Sequence, residues 1–427
     1  MISFPSIYPD ELLYSAFARY HRNSGNESSR ETMKELFDNP STCSSIWFPS
    51  QLTELTRQIP GQVYDPDELI QKHTLIPYFA PFIPPERATR LVETIKTYVS
   101  SSANMILGRT AFAVKPKLRL FYCDLCVRED REKYGEAYWR RSHQVEGVYL
   151  CPVHHNWLVQ SKISHQMRLS RYRYIMLEHA LQEAGESCFF PNQTLDHLQF
   201  ISEQTQFLLD NQLSSPGLLN ISLFYISKLR RNGFIYQASN RIRWDKLLAS
   251  FKGHYGEAFL SELNGEVGKE DSWLHKLLRK PRVACHPLRH ILLLGFLGES
   301  VESMMNEISK GSNQFDPFGQ GPWPCLNKAA DHYMEQTITS CKITRGSKTG
   351  KPVGTFACNC GFVYSRSGPD IIESDRYRVG RVKEFGDVWI KKLAEMSNQD
   401  LAARSQAKLL GCDPQTVINQ RKLLIFK

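Results

Sequence analysis

Two short turns that carry cysteine and histidine constrain the fold of this 427-residue chain more than any other feature. One lies in "FYCDLCVRED" and the other, further along the chain, in "YLCPVHHNWL". Each turn separates its two ligand-type side chains by two residues, so that both side chains converge on one point, and together the turns predict a tetrahedral zinc site. The alternative, four unconnected core residues, is disfavoured by the repeated spacing and by Pro152, which stiffens the second turn. The predicted ligands are Cys123, Cys126, Cys151 and His154, with His155 as the second choice for the histidine.

A second metal site is predicted around "GTFACNCGFVYSRSGPD". Here one residue separates two cysteines, and Gly361 permits a close approach of the backbone to the sulfurs. A redox dithiol is the alternative, but the one-residue spacing and the lack of a thioredoxin-like pattern favour metal. The other two ligands must come from upstream, in or near "WPCLNKAADHY". The predicted set is Cys325, His332, Cys358 and Cys360, with Cys341 as the alternative to His332.

Both predicted sites are closed, because four protein ligands leave no position for water or substrate. Closed zinc sites stabilise a fold and do not activate water. We therefore expect two structural zinc ions. The expectation of reduced, metal-binding cysteines fits a cytoplasmic protein, since the opening residues lack a secretory signal and the longest apolar run, "HILLLGFLG", is far shorter than the roughly 20 residues of a membrane span. We also expect no membrane partner.

Length and periodicity predict several mainly helical modules. A single core seldom grows past about 250–300 residues, and apolar residues recur at helical spacing before, between and after the cysteine segments, including one long helix from Pro85 to Leu107. Connections rich in Gly, Pro, Asn and Ser are expected between Gly311 and Gly354. The predicted fold is mainly α and multi-domain, with helix-turn-helix modules interleaved with two small zinc-ribbon or zinc-knuckle modules. The predicted segments are 1–110 (N-terminal helical), 111–165 (first zinc), 166–304 (middle helical), 305–386 (second zinc) and 387–427 (C-terminal helix-turn-helix).

The C-terminal stretch "ARSQAKLLGCDPQTVINQRKLL" has the form of a helix-turn-helix. Ala407 is small where two helices would cross, Gly411 suits the turn, Asp413 and Pro414 suit the start of a helix, and Val417 would pack inward. The alternative is an ordinary helical hairpin. Amide side chains on the second helix could read adenine edges, and a lysine could meet phosphate. The residues expected to face DNA are Gln415, Thr416, Asn419 and Lys422.

Basic residues are distributed along the chain, whose formal net charge is +9. Such a charge favours an anionic partner, and phosphate contacts need many cations. One run includes Lys228 together with Arg230 and Arg231, which we expect to contact DNA. The other runs are Arg168, Arg171 and Arg173, and Lys276, Arg279, Lys280 and Arg282.

Enzyme motifs are not evident. The chain has no His-Glu-x-x-His helix, no Gly-x-Ser-x-Gly elbow and no acidic cluster suited to two metals. "GSKTGKP" imitates a phosphate-binding loop but is too short between its glycines and has Pro352 where Ser or Thr should meet magnesium. We therefore expect a non-enzymatic protein. A metal-dependent nuclease or hydrolase and a zinc-containing transcription regulator are the alternatives from other classes.

Taken together, several stretches resemble the TniQ/TnsD family, the target-selection subunits of bacterial heteromeric transposition systems. They are "FPSIYPDELLYSAFARY", "HTLIPYFAPF", "FYCDLCVREDREKYGEAYWRRSHQVEGVYLCPVHH", "SWLHKLLRKPR" with "HPLRHILLLGFLG", and "WPCLN" with "GTFACNCGFVYSRSGPD". These stretches span nearly the whole chain, and their order is specific to the family. One departure is Ala330, where many relatives have cysteine, and His332 would replace that ligand.

The resemblance implies a nucleoid-associated adaptor that marks an insertion site on double-stranded DNA and recruits an AAA+ ATPase, which in turn directs a separate transposase. Two routes to the site exist in such families, and we favour direct recognition of an attachment sequence over docking on an RNA-guided Cascade complex. Phe4, Tyr8 and Tyr14 are the candidate contacts with the ATPase, with burial in the core as the alternative. The chain stops just after the expected recognition helix, which leaves room for a longer native C-terminus.

Overall fold

The computed structural model describes residues 3–42, 46–97, 102–108, 114–164, 174–187, 190–191, 194–236, 241–268, 270–279, 283–311, 317–345, 352–370, 372–399 and 401–425. These residues belong to two compact units. Unit 1 comprises Met1–Phe234 and Arg243–Asn313, and unit 2 comprises Ile235–Ile242 and Gln314–Lys427. The predicted division into five segments is finer than this division into two.

Unit 1 is mainly helical, because its apolar residues recur on one face of successive short helices. Its helices are α1 Leu13–Ser24, α2 Ser29–Phe37, α3 Leu52–Gln58, α4 Pro66–His73, α5 Ile76–Phe79, α6 Pro85–Thr97, α7 Ser102–Leu107, α8 Asp124–Tyr134, α9 Leu177–Ala180, α10 Leu195–Asp210, α11 Leu218–Arg231, α12 Trp244–Tyr255, α13 Glu257–Glu262, α14 Trp273–Arg279, α15 Pro287–Leu297 and α16 Val301–Ser309. Short 3-10 turns cover Pro60–Gln62, Ala80–Phe82 and Ser142–Gln144. The single long helix expected from Pro85 to Leu107 is therefore described as α6 and α7, and residues 98–101 lie outside the described part.

A small antiparallel sheet in unit 1 carries the first cysteine segment. Its strands are β1 Arg119–Tyr122, β2 Val159–Ser164 and β3 Glu186–Ser187, in the order β1-β2-β3. β1 leads directly into the first cysteine pair, where short strands are expected from the sequence.

Buried Arg141 joins parts of unit 1 that the sequence assigns to three separate modules. Its Nε lies 2.7 Å from Asp10 Oδ1, and its Nη atoms donate to the carbonyls of Gln71 at 2.6 Å and Leu209 at 2.9 Å. Because a buried guanidinium needs all its hydrogen bonds, these contacts hold the three segments together. The N-terminal helices, the first cysteine segment and the middle helices thus form one structural unit.

Unit 2 combines small sheets with three C-terminal helices. Strands β4 Trp323–Pro324 and β5 Gln336–Ile338 form a pair, and β6 Cys341–Arg345, β7 Pro352–Ala357, β8 Val363–Ser367 and β9 Arg381–Glu384 form an antiparallel sheet in that order. A 3-10 turn covers Glu373–Tyr377, and the helices are α17 Gly386–Ser397, α18 Ala403–Leu410 and α19 Pro414–Ile425. An aromatic core that includes Phe356 and Tyr364 lies beneath the larger sheet.

The strands between Gly311 and Gly354 correct the expectation of plain connections in that segment. The strands are short, and only one of their faces is apolar, so the local pattern shows no long apolar run. Gly354 pairs with Ile343 and Arg366 across the sheet, where a Cβ would lie 2.8 Å from the Phe356 ring. A glycine that looks like a loop residue is therefore required by close packing within a strand.

In the described part of the chain, no helix is both long and apolar enough to cross a membrane.

Candidate metal centres and nucleic-acid interface

The first cluster of cysteine and histidine is built on two turns of unit 1. Cys123 follows β1 and caps α8, where its Sγ accepts from the backbone N–H of Cys126 at 3.5 Å. In the second turn, the N–H of His154 donates to Cys151 Sγ, also at 3.5 Å. Backbone donors aimed at sulfur stabilise the thiolate form that binds metals. The two turns, which are distant in sequence, therefore present their ligand atoms to a common point.

The spacing of the donor atoms in this cluster fits a tetrahedral ion. His154 Nδ1 lies 3.5 Å from Cys123 Sγ, 3.4 Å from Cys126 Sγ and 3.6 Å from Cys151 Sγ, and the last two sulfurs are 3.7 Å apart. Bond lengths of about 2.3 Å to sulfur and about 2.0–2.1 Å to nitrogen imply edges of about 3.8 Å and about 3.5 Å in a tetrahedron around zinc. The cluster could hold a metal ion, and its three sulfurs and one nitrogen suit zinc.

Three neighbours of the first cluster are not singled out by any sequence spacing. Glu129 Oε1 lies 3.0 Å from His154 Nε2, which leaves Nδ1 to face the sulfurs, and Asn156 Oδ1 lies 3.2 Å from Cys123 Sγ. His143 is fully buried with its Nε2 3.6 Å from Cys151 Sγ, and burial lowers its pKa to about 4. Such outer contacts orient metal ligands. They come from tertiary packing and could not be read from a local motif.

The second cluster lies in unit 2 and contains the predicted second set of ligands. Cys325 Sγ is 3.8 Å from Cys360 Sγ, and Cys358 Sγ is 3.3 Å from His332 Nε2. The four ligand atoms lie within 4.8 Å of one another, so this cluster too could hold a metal ion. Cys341, the alternative fourth ligand, lies in β6 opposite Phe356 and packs against the aromatic core. The structure thus groups His332, and not Cys341, with the three thiols.

Polar neighbours surround the sulfurs of the second cluster. Asn327 is fully buried and donates from Nδ2 to Cys360 Sγ at 3.5 Å, and Thr337 Oγ1 lies 3.6 Å from Cys358 Sγ. Burial raises the pKa of the Cys358 thiol, but hydrogen bonds from the Cys360 backbone, Thr337, Cys325 and His332 outweigh burial and lower that pKa to about 7. A thiol that ionises this readily is suited to metal binding.

The three C-terminal helices pack around a small apolar core. Gly411 ends α18 in the left-handed region, with φ of 68°, and Asp413 Oδ1 accepts from the N–H of Gln415 at 2.8 Å. Pro414 is the first residue of α19, where its missing N–H costs nothing. These features agree with the predicted turn between two helices. The core residues are Trp389, Leu393, Ala407, Leu410 and Val417.

One face of α19 is exposed and carries amide and cationic side chains. Gln415, Asn419 and Lys422 are exposed, and Thr416 is half-buried. Gln415 Nε2 donates to Asn419 Oδ1 at 3.2 Å, so the two amides are held together. Ile418, 38% exposed, lies on the same face at helical spacing from them, and the sequence analysis missed it. An apolar side chain among amides on a helix face is the signal that could have found it.

The basic residues proposed to contact phosphate differ in exposure and in pairing. Lys228 is buried, with its Nζ 2.6 Å from Glu299 Oε1 and 2.7 Å from Glu307 Oε2, so the expectation that it belongs to a free basic run is corrected. Arg230 is half-buried and burial lowers its pKa, whereas Arg231 is exposed. Lys276 Nζ lies 3.9 Å from Asp271 Oδ2. Outside the described residues lie Arg168, Arg171, Arg173, Lys280, Arg282 and residues 346–351 of "GSKTGKP".

The three aromatic residues proposed to meet an ATPase lie in aromatic packing. Tyr14 is only 3% exposed, and its hydroxyl accepts from the N–H of Ile175. Phe4 stacks on Tyr20 at 5.8 Å. Tyr8 stacks on Tyr134 at 4.3 Å between ring centroids. Tyr14 is therefore a core residue that offers no surface to a partner, and the other two are half-buried.

Comparison with known proteins identifies the family of the chain. The model of the TnsD family, described as Tn7-like transposition protein D, matches residues 201–427, which is more than half of the chain. The chain belongs to the TnsD family. A second family model, TniQ, matches residues 2–158, which include the first cluster. The "Transposon Tn7 transposition protein TnsD" of Escherichia coli is 27% identical over 300 residues, which cover 69% of this chain and 57% of that relative.

Proposed function

We propose that this TnsD-family protein is a non-enzymatic target selector of a bacterial transposition system that binds double-stranded DNA at the insertion site. The family match over the half of the chain that carries the second cluster and the C-terminal helices is the observation that supports this most strongly. The name of the Escherichia coli relative connects it with transposition. The exposed amide face of α19 supplies groups that can read base edges.

Zinc in both clusters would stabilise the units that carry these surfaces. Each cluster offers three sulfurs and one imidazole nitrogen, which is a donor set of structural zinc sites. A zinc ion held in this way contributes folding free energy. The chemistry it supplies is therefore structural, and the DNA contacts come from the side chains of the chain.

The α19 face offers amide groups that match the edge of adenine in the major groove. The bond from Gln415 Nε2 to Asn419 Oδ1 leaves Gln415 Oε1, its second N–H and the Asn419 amide N–H groups for a base. Adenine presents one acceptor and one donor in the major groove, which an amide can match in a bidentate contact. Lys422, one helical turn beyond Ile418, would meet phosphate.

Recruitment of an AAA+ ATPase, and through it the transposase, is part of the same proposal. Family membership supports this recruitment. Tyr14 does not, because it is buried and offers no surface to an ATPase. Docking on a Cascade complex with its guide RNA is the second candidate, favoured by the TniQ match over residues 2–158. Purified protein that selects sequences from free duplex DNA supports direct recognition over this candidate.

The test is selection of binding sequences from a pool of random duplexes, followed by affinity measurements on the selected and scrambled duplexes. Gln415→Ala and Asn419→Ala should each reduce the discrimination between the two by roughly 1–3 kcal/mol if a bidentate contact is lost. Gln399→Ala, which removes an exposed amide outside α19, is the matched control. Wild-type protein that enriches no sequence would refute direct recognition.

A further inference from the structure

The four-stranded sheet of unit 2 has one face that the proposed DNA-reading helices do not use. Cross-strand partners form a row across it: Lys342 pairs with Thr355, Thr355 with Ser365, and Ser365 with Arg381. Because directly opposed residues in a sheet point to the same side, these four side chains share one face. Lys383 also lies there, since its Nζ donates to Thr355 Oγ1 at 2.8 Å. We call the surface formed by these five residues the basic sheet face.

The basic sheet face points away from the core. The neighbouring row of cross-strand partners contains Phe356 and Tyr364, which are fully buried in the aromatic core. Successive side chains of a strand alternate between the two faces, so the row with the lysines and arginine lies on the outer side. The exposure of Lys342, Arg381 and Lys383 agrees with this placement.

The charge of this face is not neutralised within the described part of the chain. No ion pair joins Lys342, Arg381 or Lys383 to a carboxylate among the described residues. Glu384 pairs with Val363, which lies two residues from Ser365 in β8, so this carboxylate is on the same face, at the end of β9, and the face has three cations against one carboxylate. Of the acidic residues that follow β8, Asp370 pairs with Arg366 and Asp375 Oδ1 lies 3.5 Å from Arg378 Nη1. The three exposed cations and the half-buried Thr355 therefore form a surface of net positive charge that is complementary to a polyanion, whereas Ser365 is buried beneath it.

We propose that the basic sheet face binds the phosphate backbone of double-stranded DNA, in addition to the contacts of α19. The row from Lys342 to Arg381 crosses three spacings between strands, about 14 Å in all. This is comparable with the width of about 12 Å of the major groove, so cations at its ends can meet phosphates on either side of a groove. Lysine, arginine and hydroxyl groups are the usual donors to phosphate, and such contacts position a protein without reading sequence.

This proposal rests on the proposed function and predicts a separate signature. Each phosphate contact contributes about −0.9 to the slope of log affinity against log salt. The variant with Lys342→Gln, Arg381→Gln and Lys383→Gln should therefore have a slope less negative by up to about 2.7. Between 50 and 200 mM salt, its loss of affinity should be roughly 40-fold smaller than that of the wild type. Discrimination between selected and scrambled duplexes should stay unchanged.

The matched control removes three exposed cations of unit 1 that are paired with carboxylates: Arg57→Gln, Lys72→Gln and Lys252→Gln. It changes the net charge equally and should leave the slope near that of the wild type. Equal slopes for the sheet variant and the wild type would overturn the proposal, as would an equal change in the control. A change of slope that is seen with a single-stranded RNA probe but not with duplex DNA would also overturn the proposal.

Failure of the proposed function has a different outcome, namely wild-type protein that binds no DNA at all. Substitutions at exposed positions of this kind seldom change stability appreciably. If the triple variant nevertheless melts early, the three single variants replace it. Each should make the slope less negative by about 0.9, and three unchanged slopes would overturn the proposal.

Discussion

Gly386 lies where the start of the C-terminal helices packs on the turn of the second cluster, and its substitution by alanine gives a sharp test of that packing. Gly386 begins α17 with φ of 74°. A Cβ built on it would lie 2.4 Å from the carbonyl carbon of Gly361 and 2.7 Å from Cys360 O. Those atoms belong to the backbone of the turn that carries two ligands of the second cluster, so they cannot move aside as a flexible side chain can.

Two costs add up in Gly386→Ala. A left-handed conformation costs a residue with a Cβ about 1–2 kcal/mol, and overpacking against a rigid neighbour costs typically about 1–3 kcal/mol. Unit 2 should therefore lose about 2–5 kcal/mol of unfolding free energy. Since each kcal/mol lowers the Tm by about 2–8 °C in domains of this size range, the change is easily measured by calorimetry.

Gly319→Ala is the matched control for the conformational cost alone. Gly319 also lies in unit 2 with φ of 68°, but a Cβ there would meet nothing within 4 Å. It should lose about 1–2 kcal/mol. The difference between the two variants isolates the steric term. Equal Tm values for the two variants, with equal metal content, would refute the close packing of Gly386 on the Cys358–Gly361 turn.

Three further predictions follow from single side chains. Cys358→Ser should lower the bound zinc from two ions to one per chain by elemental analysis and destabilise unit 2, because the metal contributes folding free energy; two ions in the variant would contradict this assignment. Burial lowers the pKa of His290 to about 3, against about 6.5 in an unfolded chain. The unfolded state therefore binds one more proton between these pH values, and stability falls as the pH drops from 6.5 towards 4, by up to about 1.4 kcal/mol per pH unit. His290→Leu should remove this part of the dependence of stability on pH. Burial raises the pKa of Glu11 to about 7, and the opposite contribution of this carboxyl should remain in both proteins. Identical stability profiles for the variant and the wild type, measured by denaturant unfolding at each pH, would contradict the prediction. Lys228→Met should destabilise unit 1 in the same assay, because it leaves Glu299 and Glu307 without their shared cation, whereas Arg231→Met, at an exposed position on the same helix, should change stability by less than about 0.5 kcal/mol.

Much of the fold and of the candidate sites follows from local pattern. The two-residue spacings of the first cluster and the one-residue spacing of the second act through turns of a few residues, so the chain need not be folded to reveal them. The start of α19 at Pro414, capped by Asp413, is similarly a local preference. The choice of His332 over Cys341 is different, because both lie at an acceptable distance in sequence and only the course of the chain through the second unit places one beside the thiols.

The sequence by itself therefore determined the ligand types, the mainly helical composition, the family and the turn between α18 and α19, since each depends on neighbours along the chain. Tertiary structure alone decided which side chains are free to act. It buried Tyr14 among aromatic rings, paired Lys228 with two glutamates, and aligned Lys342 with Arg381 across four strands. Burial and cross-strand alignment are produced by residues far apart in the chain, and no local spacing records which distant partner a side chain meets.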